Sequence, residues 1–155
     1  MSEQIKLLNK RHNAMLSERS SWDAHWKDLS RFILPRNSRF FNAKTNDGTK
    51  KHNDIYDSSA TKAARVCAAG MMSGLTSPSR PWFVLSTSDP DLAKSRNVKM
   101  WLQQVTELIE GVIAKSNVYR ALYSSYEDLA VFGSHASFLA DDFNNVIHMQ
   151  SFALG

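Results

Sequence analysis

Between Asp57 and Leu85 the chain reads DSSATKAARVCAAGMMSGLTSPSRPWFVL, and few local structures accommodate that run. Asp57 or Ser58 is a helix N-cap by residue type, because a short oxygen-bearing side chain accepts from first-turn amides. From there the spacing predicts a helix to about Ser77, with Ala60, Ala64, Cys67, Ala68, Met71 and Leu75 on one stripe. Ala63 and Gly70 widen the stripe with small side chains, which lets another helix approach closely. A glycine inside a helix costs about 1 kcal/mol relative to alanine. Gly70 and Gly74 therefore point to tight packing or to an early, bent end. Pro78 and Pro81 bracket a turn, and Trp82-Phe83-Val84-Leu85 reads as a strand. On its stripe, Cys67 is expected to be a buried and inert thiol.

Helices flank this stretch on both sides. Ile5, Leu8, Met15 and Leu16, then Trp22, Trp26, Leu29 and Ile33, recur at helical spacing across residues 3–34. Ser20 or Ser21 is a candidate cap for a second helix, or the first runs on through them. Trp22 and Trp26, one turn apart, should pack together against the core. Pro35 ends the helix by disfavouring helical geometry at Leu34. Downstream, Ser88 or Asp89 caps a helix with Pro90 at its first position. Its inner face is Val98, Trp101, Leu102, Val105, Leu108, Ile109 and Val112. Lys115-Ser116-Asn117 breaks the pattern. A further helix follows, with Tyr119, Leu122, Tyr123, Tyr126, Leu129 and Ala130 inside and Gly133 as its C-terminal cap. The remainder reads as two strands joined by a polar turn at Asp141–Asn145. The expected fold is α+β, several helices packed on a small antiparallel sheet, over a single domain of 155 residues.

Charge is unevenly placed. Residues 1–52 carry eleven Lys/Arg against five Asp/Glu, and the rest carries eight against ten. The irregular stretch 36–56 gathers Arg36, Arg39, Lys44, Lys50 and Lys51 around Phe40 and Phe41. Basic residues interleaved with aromatics can hold single-stranded nucleic acid by charge and stacking. A long surface loop whose aromatics anchor it to the domain or to a neighbouring subunit is the simpler reading. No run of apolar residues is long enough for a membrane span. The charged N-terminus is not a secretory signal, and a lone cysteine fits a cytosolic product.

Catalytic patterns fail one by one. Ser59-Ala60-Thr61-Lys62 matches S-x-x-K, but its companion elements are absent, and Ser59 is better placed as a first-turn helix residue. Gly70-Met71-Met72-Ser73-Gly74 displaces the serine of a G-x-S-x-G. No phosphate-binding glycine loop occurs. His12, His25, His52, His135 and His148 are scattered without metal-ligand spacing. His25 with Asp28, and His52 with Asp54, read as polar side chains facing solvent. Asp141–Asp142 reads as a solvated hairpin tip, and Met71–Met72 as core filling. No enzyme activity and no cofactor are expected.

A set of short signatures, in order, resembles the head-to-tail connecting, or portal, family of podovirus-type bacteriophages. They are Arg19–Trp22 with His25-Trp26, Pro35-Arg36, Gly48–His52, and Asp57–Thr61 with Ala63-Ala64. They continue through Ala69–Phe83, Trp101-Leu102, Ser116-Asn117 and Phe132-Gly133. The resemblance implies a structural virion protein of the portal vertex, found in host cytoplasm during assembly. It implies a homo-oligomer, a dodecameric ring in the full-length family. Its partners there are the capsid, the packaging motor and tail proteins, with genomic DNA passing through the channel and no membrane. The chain resembles the N-terminal wing region, and the family's stem, clip and channel regions are not represented. A fragment, a truncated gene or a prophage remnant is expected. Arg36, Arg39, Phe40, Phe41, Lys44, Lys50 and Lys51 are the candidate subunit or nucleic-acid contacts. The alternative is a basic nucleic-acid-binding module from a phage or prophage.

Overall fold

The computed structural model describes residues 3–35 and 55–152. Among them the elements are α1 Glu3–Phe32, α2 Ser59–Leu75, α3 Pro90–Lys94, α4 Arg96–Lys115, α5 Val118–Phe132, β1 Ala136–Asp142 and β2 Val146–Phe152. The fold is α+β, with several helices packed against a small open antiparallel sheet. The chain divides into two compact units, one up to Lys62 and one from Ala63.

In the first unit, α1 runs unbroken for 30 residues. Ser20 and Ser21 do not cap a second helix. Their hydroxyls donate to the carbonyls of Ser17 and Glu18 at 2.7 and 2.9 Å, inside the same helix. Trp22 and Trp26 meet with ring centroids 6.2 Å apart, but only Trp26 is half-buried and Trp22 is exposed. Residues 3–18 are exposed throughout, so Ile5, Leu8, Met15 and Leu16 line no core among the described residues. Burial is confined to the last turns, at Ser30 and Leu34. The helix stops three residues before Pro35, and Thr61 Oγ1 donates to the Ile33 carbonyl at 2.9 Å. That bond satisfies one of the carbonyls a helix end leaves open.

The second unit is built on α2 from Ala63 onward, α4, α5 and the hairpin, while the start of α2 belongs to the first unit. Asp57 Oδ1 accepts from the Ser59 amide and hydroxyl at 3.1 and 3.0 Å, and the Ser58 carbonyl takes the first helical bond from Lys62. Those Ser59 bonds hold the Asp57 carboxyl below its ordinary value. Ala64 and Ala68 are buried, and Met71 and Met72 half-buried, so small residues do form the inner stripe. The stripe is narrower than expected, because Ala60, Cys67 and Leu75 face outward.

The helix expected from Pro90 onward is two helices. Asp89 caps α3 by accepting from the Asp91 amide at 2.9 Å, with Pro90 in the first turn. Ser95 has extended backbone, which ends α3 and starts α4. On α4, Val98, Leu102, Val105, Ile109 and Val112 are half-buried and Ile113 buried, while Trp101 and Leu108 are exposed. Gly133 closes α5 at φ 73°, its amide donating to the Leu129 carbonyl at 3.1 Å. That left-handed cap turns the chain into β1.

β1 pairs antiparallel with β2 from Ala136↔Phe152 to Asp142↔Val146. The sheet packs on α5 and α4 through β2. Asn117, at the start of α5, donates to the Met149 carbonyl at 2.7 Å and accepts from the Met149 amide at 2.8 Å. At the hairpin tip Asp142 accepts from the Asn144 amide and from Asn145, which lowers its carboxyl below the ordinary value. Val146 closes the turn at φ 70°. A left-handed conformation costs an L-residue about 1–2 kcal/mol, and a β-branched side chain is especially ill-suited to it. Val146 is largely exposed, so little packing is lost on truncation. Val146→Gly is expected to stabilise the protein by about 1 kcal/mol after glycine's own entropic cost, read as a rise in Tm of about 2–4 °C.

Candidate functional site

The basic and aromatic contact candidates Arg36, Arg39, Phe40, Phe41, Lys44, Lys50 and Lys51 lie outside the described residues, as do His52 and Asp54. His25 sits edge-on to Trp22, ring centroids 6.3 Å apart, a packing contact on α1. Among the described residues no group of three His, Cys, Asp or Glu side chains is placed to hold a metal ion.

The exit of α2 shows why its turn is spelled Thr-Ser-Pro-Ser-Arg-Pro-Trp-Phe. Arg80 Nη2 reaches back to the carbonyls of Ser73 and Gly74 at 3.1 and 3.3 Å. A cation on the last carbonyls satisfies open acceptors and complements the negative end of the helix dipole. Thr76 is buried and shares a hydrogen bond with the Tyr126 hydroxyl at 3.0 Å. The Ser77 and Ser79 hydroxyls bond each other at 2.9 Å. Trp82 donates from Nε1 to the Tyr119 hydroxyl at 3.3 Å and meets Phe83 edge-to-face at 4.8 Å. Arg80 thus ties the turn to α2, and Thr76 and Trp82 tie it to α5.

Past that turn the backbone is extended but unpaired. Burial alternates from Trp82 to Thr87, as in a strand, with Phe83 and Leu85 half-buried and Val84 exposed. No backbone ladder forms; Leu85 N donates only to Thr106 Oγ1, at 3.5 Å. The expected strand is thus a strand in its side-chain pattern alone. Between this segment and α4 runs a groove of about 520 Å³, lined by Phe83, Leu85, Leu102, Thr106, Glu107 and Glu110 among others.

Cys67 is exposed, against the expectation of burial. The inner side of α2 is set by Ala64 and Ala68, and Cys67 falls outside it. Gly70 and Gly74 also have open space where a Cβ would stand, so among the described residues nothing packs closely on the G-x-x-x-G.

Sequence reasoning missed one cluster. Ser125 Oγ lies 2.7 Å from His135 Nε2, and His135 Nδ1 lies 3.1 Å from Asp128 Oδ2. The connectivity is that of a serine-hydrolase relay. The setting is not. Ser125 is buried in the middle of α5, and its hydroxyl also donates to the Ala121 carbonyl at 2.8 Å. A carbonyl can only accept, so it competes with the imidazole for the one hydroxyl proton. An acyl substrate has no approach to a buried mid-helix oxygen. The cluster instead ties α5 to the residue preceding β1. Its sequence signal was Ser125 and Asp128, polar residues three apart beside the buried Tyr126, followed by His135 just past the Gly133 cap.

Next to it, burial holds the Glu127 carboxyl above its ordinary value; Arg65 opposes the rise and Asp128 adds to it. A raised carboxyl pKa in the folded state means that ionised Glu127 costs stability. The cost sets in as pH rises through the carboxylate range and is gone where both states are protonated. Glu127→Gln is expected to raise Tm slightly at neutral pH, with the gain vanishing below roughly pH 4 in a melting series.

No helix among the described residues is long and apolar enough to cross a membrane. A family model described as bacteriophage head to tail connecting protein matches residues 5–155. The chain is 50% identical over 157 aligned residues to a probable portal protein of Bordetella phage BPP-1, an alignment covering 100% of this chain and 28% of that protein. It is 42% identical over 139 residues to a portal protein of Salmonella phage epsilon15, covering 90% of this chain and 25% of that one. The chain therefore spans about a quarter of the length of these curated relatives.

Proposed function

The chain belongs to the bacteriophage head-to-tail connecting protein family, and from that membership we propose that it serves as the N-terminal, wing-like part of a phage portal subunit. The observation that carries the reading is its similarity to two phage portal proteins over all, or nearly all, of its length. In this reading the chain contributes to a ring, dodecameric as in the family, at one capsid vertex. Capsid, packaging motor and tail proteins contact the ring, and genomic DNA passes through its channel. The role is structural, in the virion and in host cytoplasm during assembly.

Surface chemistry supports it. Large apolar side chains stand exposed on several elements, among them Leu8, Met15, Val66, Trp101, Leu108 and Phe143. Apolar side chains left in solvent are available to surfaces that meet other proteins. Head-to-tail contacts between copies close into rings when the rotation permits. The open side of α2 at Gly70 and Gly74 would admit a neighbour's backbone at close range.

Mass spectrometry of purified virions is the test, joined to immunogold labelling of the chain. Peptides of this sequence in the particle, with label at a single vertex, are expected. Virions lacking the chain, or label spread over all vertices, would refute the reading.

A further inference from the structure

The groove beside α4 contains a carboxylate that the rest of the described protein leaves alone. Glu110 Oε1 is buried and has no hydrogen-bond partner. Its neighbour Glu107 accepts from Gln103 Nε2 at 3.2 Å, so the two acids on the same helix are treated differently. Burying an acceptor without a donor carries a desolvation penalty that a donor removes. The surroundings select what kind of donor. Phe83, Leu85 and Leu102 give the groove apolar walls, while Glu107 and Glu110 against Lys99 leave it with an excess of negative charge. On the facing wall the Leu85 amide is already taken by Thr106 Oγ1, at 3.5 Å.

We propose that this groove is a docking site for an arginine-bearing loop of a protein partner. The apolar stem of the arginine lies over Phe83, Leu85 and Leu102, and its guanidinium meets Glu110. Arginine suits the position better than lysine. Its planar group is weakly hydrated, stacks on aromatic rings and pairs with a carboxylate through two donors. The proposal stands independently of the portal reading, because it rests on the groove alone.

Benzamidine reproduces the required chemistry, a flat cation on an apolar ring, and benzamide is its neutral counterpart of similar shape. Titration of the isotopically labelled full chain with each, followed by amide NMR, tests the proposal. Benzamidine is expected to give saturable shifts at Val84–Ser86 and Glu107–Glu110, with benzamide at least tenfold weaker. Glu110→Gln is expected to weaken benzamidine about tenfold and to leave benzamide unchanged. Equal binding of the two compounds overturns the proposal, and this comparison needs no variant that might misfold. Shifts confined to other surfaces, or no saturable shift, also overturn it.

Discussion

Replacing His135 by alanine is expected to destabilise the second unit by about 3 kcal/mol, because it takes the imidazole from a buried carboxylate. The side chains of His135 and Asp128 are 6% and 5% exposed, so water does not replace the lost ring. Ser125 loses a partner in the same step and retains only the Ala121 carbonyl. A loss of this size lowers Tm by roughly 6–12 °C in a domain of this length. Asp128→Asn removes the charge while keeping the shape, and is expected to cost less than His135→Ala. The double variant should cost clearly less than the two singles added together, since the residues act on each other. Urea denaturation of the four proteins gives the coupling directly. Additive losses would mean that the 3.1 Å contact between Asp128 and His135 contributes nothing.

Asn117→Leu is the second large effect, expected at about 2 kcal/mol. One amide side chain supplies both a donor and an acceptor to Met149, and leucine supplies neither. The cost should concentrate in the hairpin. Hydrogen exchange of the β2 amides is expected to accelerate about thirtyfold, with α2 little changed. Asn117→Asp keeps the acceptor for the Met149 amide and loses the donor, so its effect should fall between the two. Uniform acceleration across α2 and the hairpin would show that Asn117 acts on the whole unit and not on the strand it touches.

Elements with strong local chemistry were legible in the sequence. Asp89 with Pro90, Gly133 after Phe132, and Asp57 before Ser59 each fix a helix end through their own backbone or side-chain preference, and the structure places all three as expected. Features that depend on distant residues were not legible. The aromatic and aliphatic run Trp82–Leu85 correctly implied extended backbone, but such a run says nothing about whether another strand lies alongside. Leu8 and Met15 have helical spacing, yet spacing cannot say whether a face is covered by the same chain. Cys67 was misplaced because alanines and glycines surround α2 on most sides, which leaves the inner direction undefined until Ala64 and Ala68 meet their neighbours. The Ser125–His135–Asp128 cluster needed the left-handed turn at Gly133 to bring His135 back onto α5, a geometric fact absent from the residue pattern. The basic stretch from Arg36 to Lys51 lies outside the described residues, so its part in any contact remains a proposal.

The asparagine on Met149 also gives the sheet a direction. Met149 spends its amide and carbonyl on Asn117, so the Leu139↔Met149 pair is one of the non-hydrogen-bonded rungs of the ladder. By alternation, Ser137, Leu139 and Asp141 then turn their own amides and carbonyls away from β2, toward the outer rim of β1. The β2 rim is blocked at its centre by a side chain, while Ser137, Leu139 and Asp141 have no backbone partner on the β1 rim among the described residues. Any third strand must join beside β1, and only in the register that those three residues dictate.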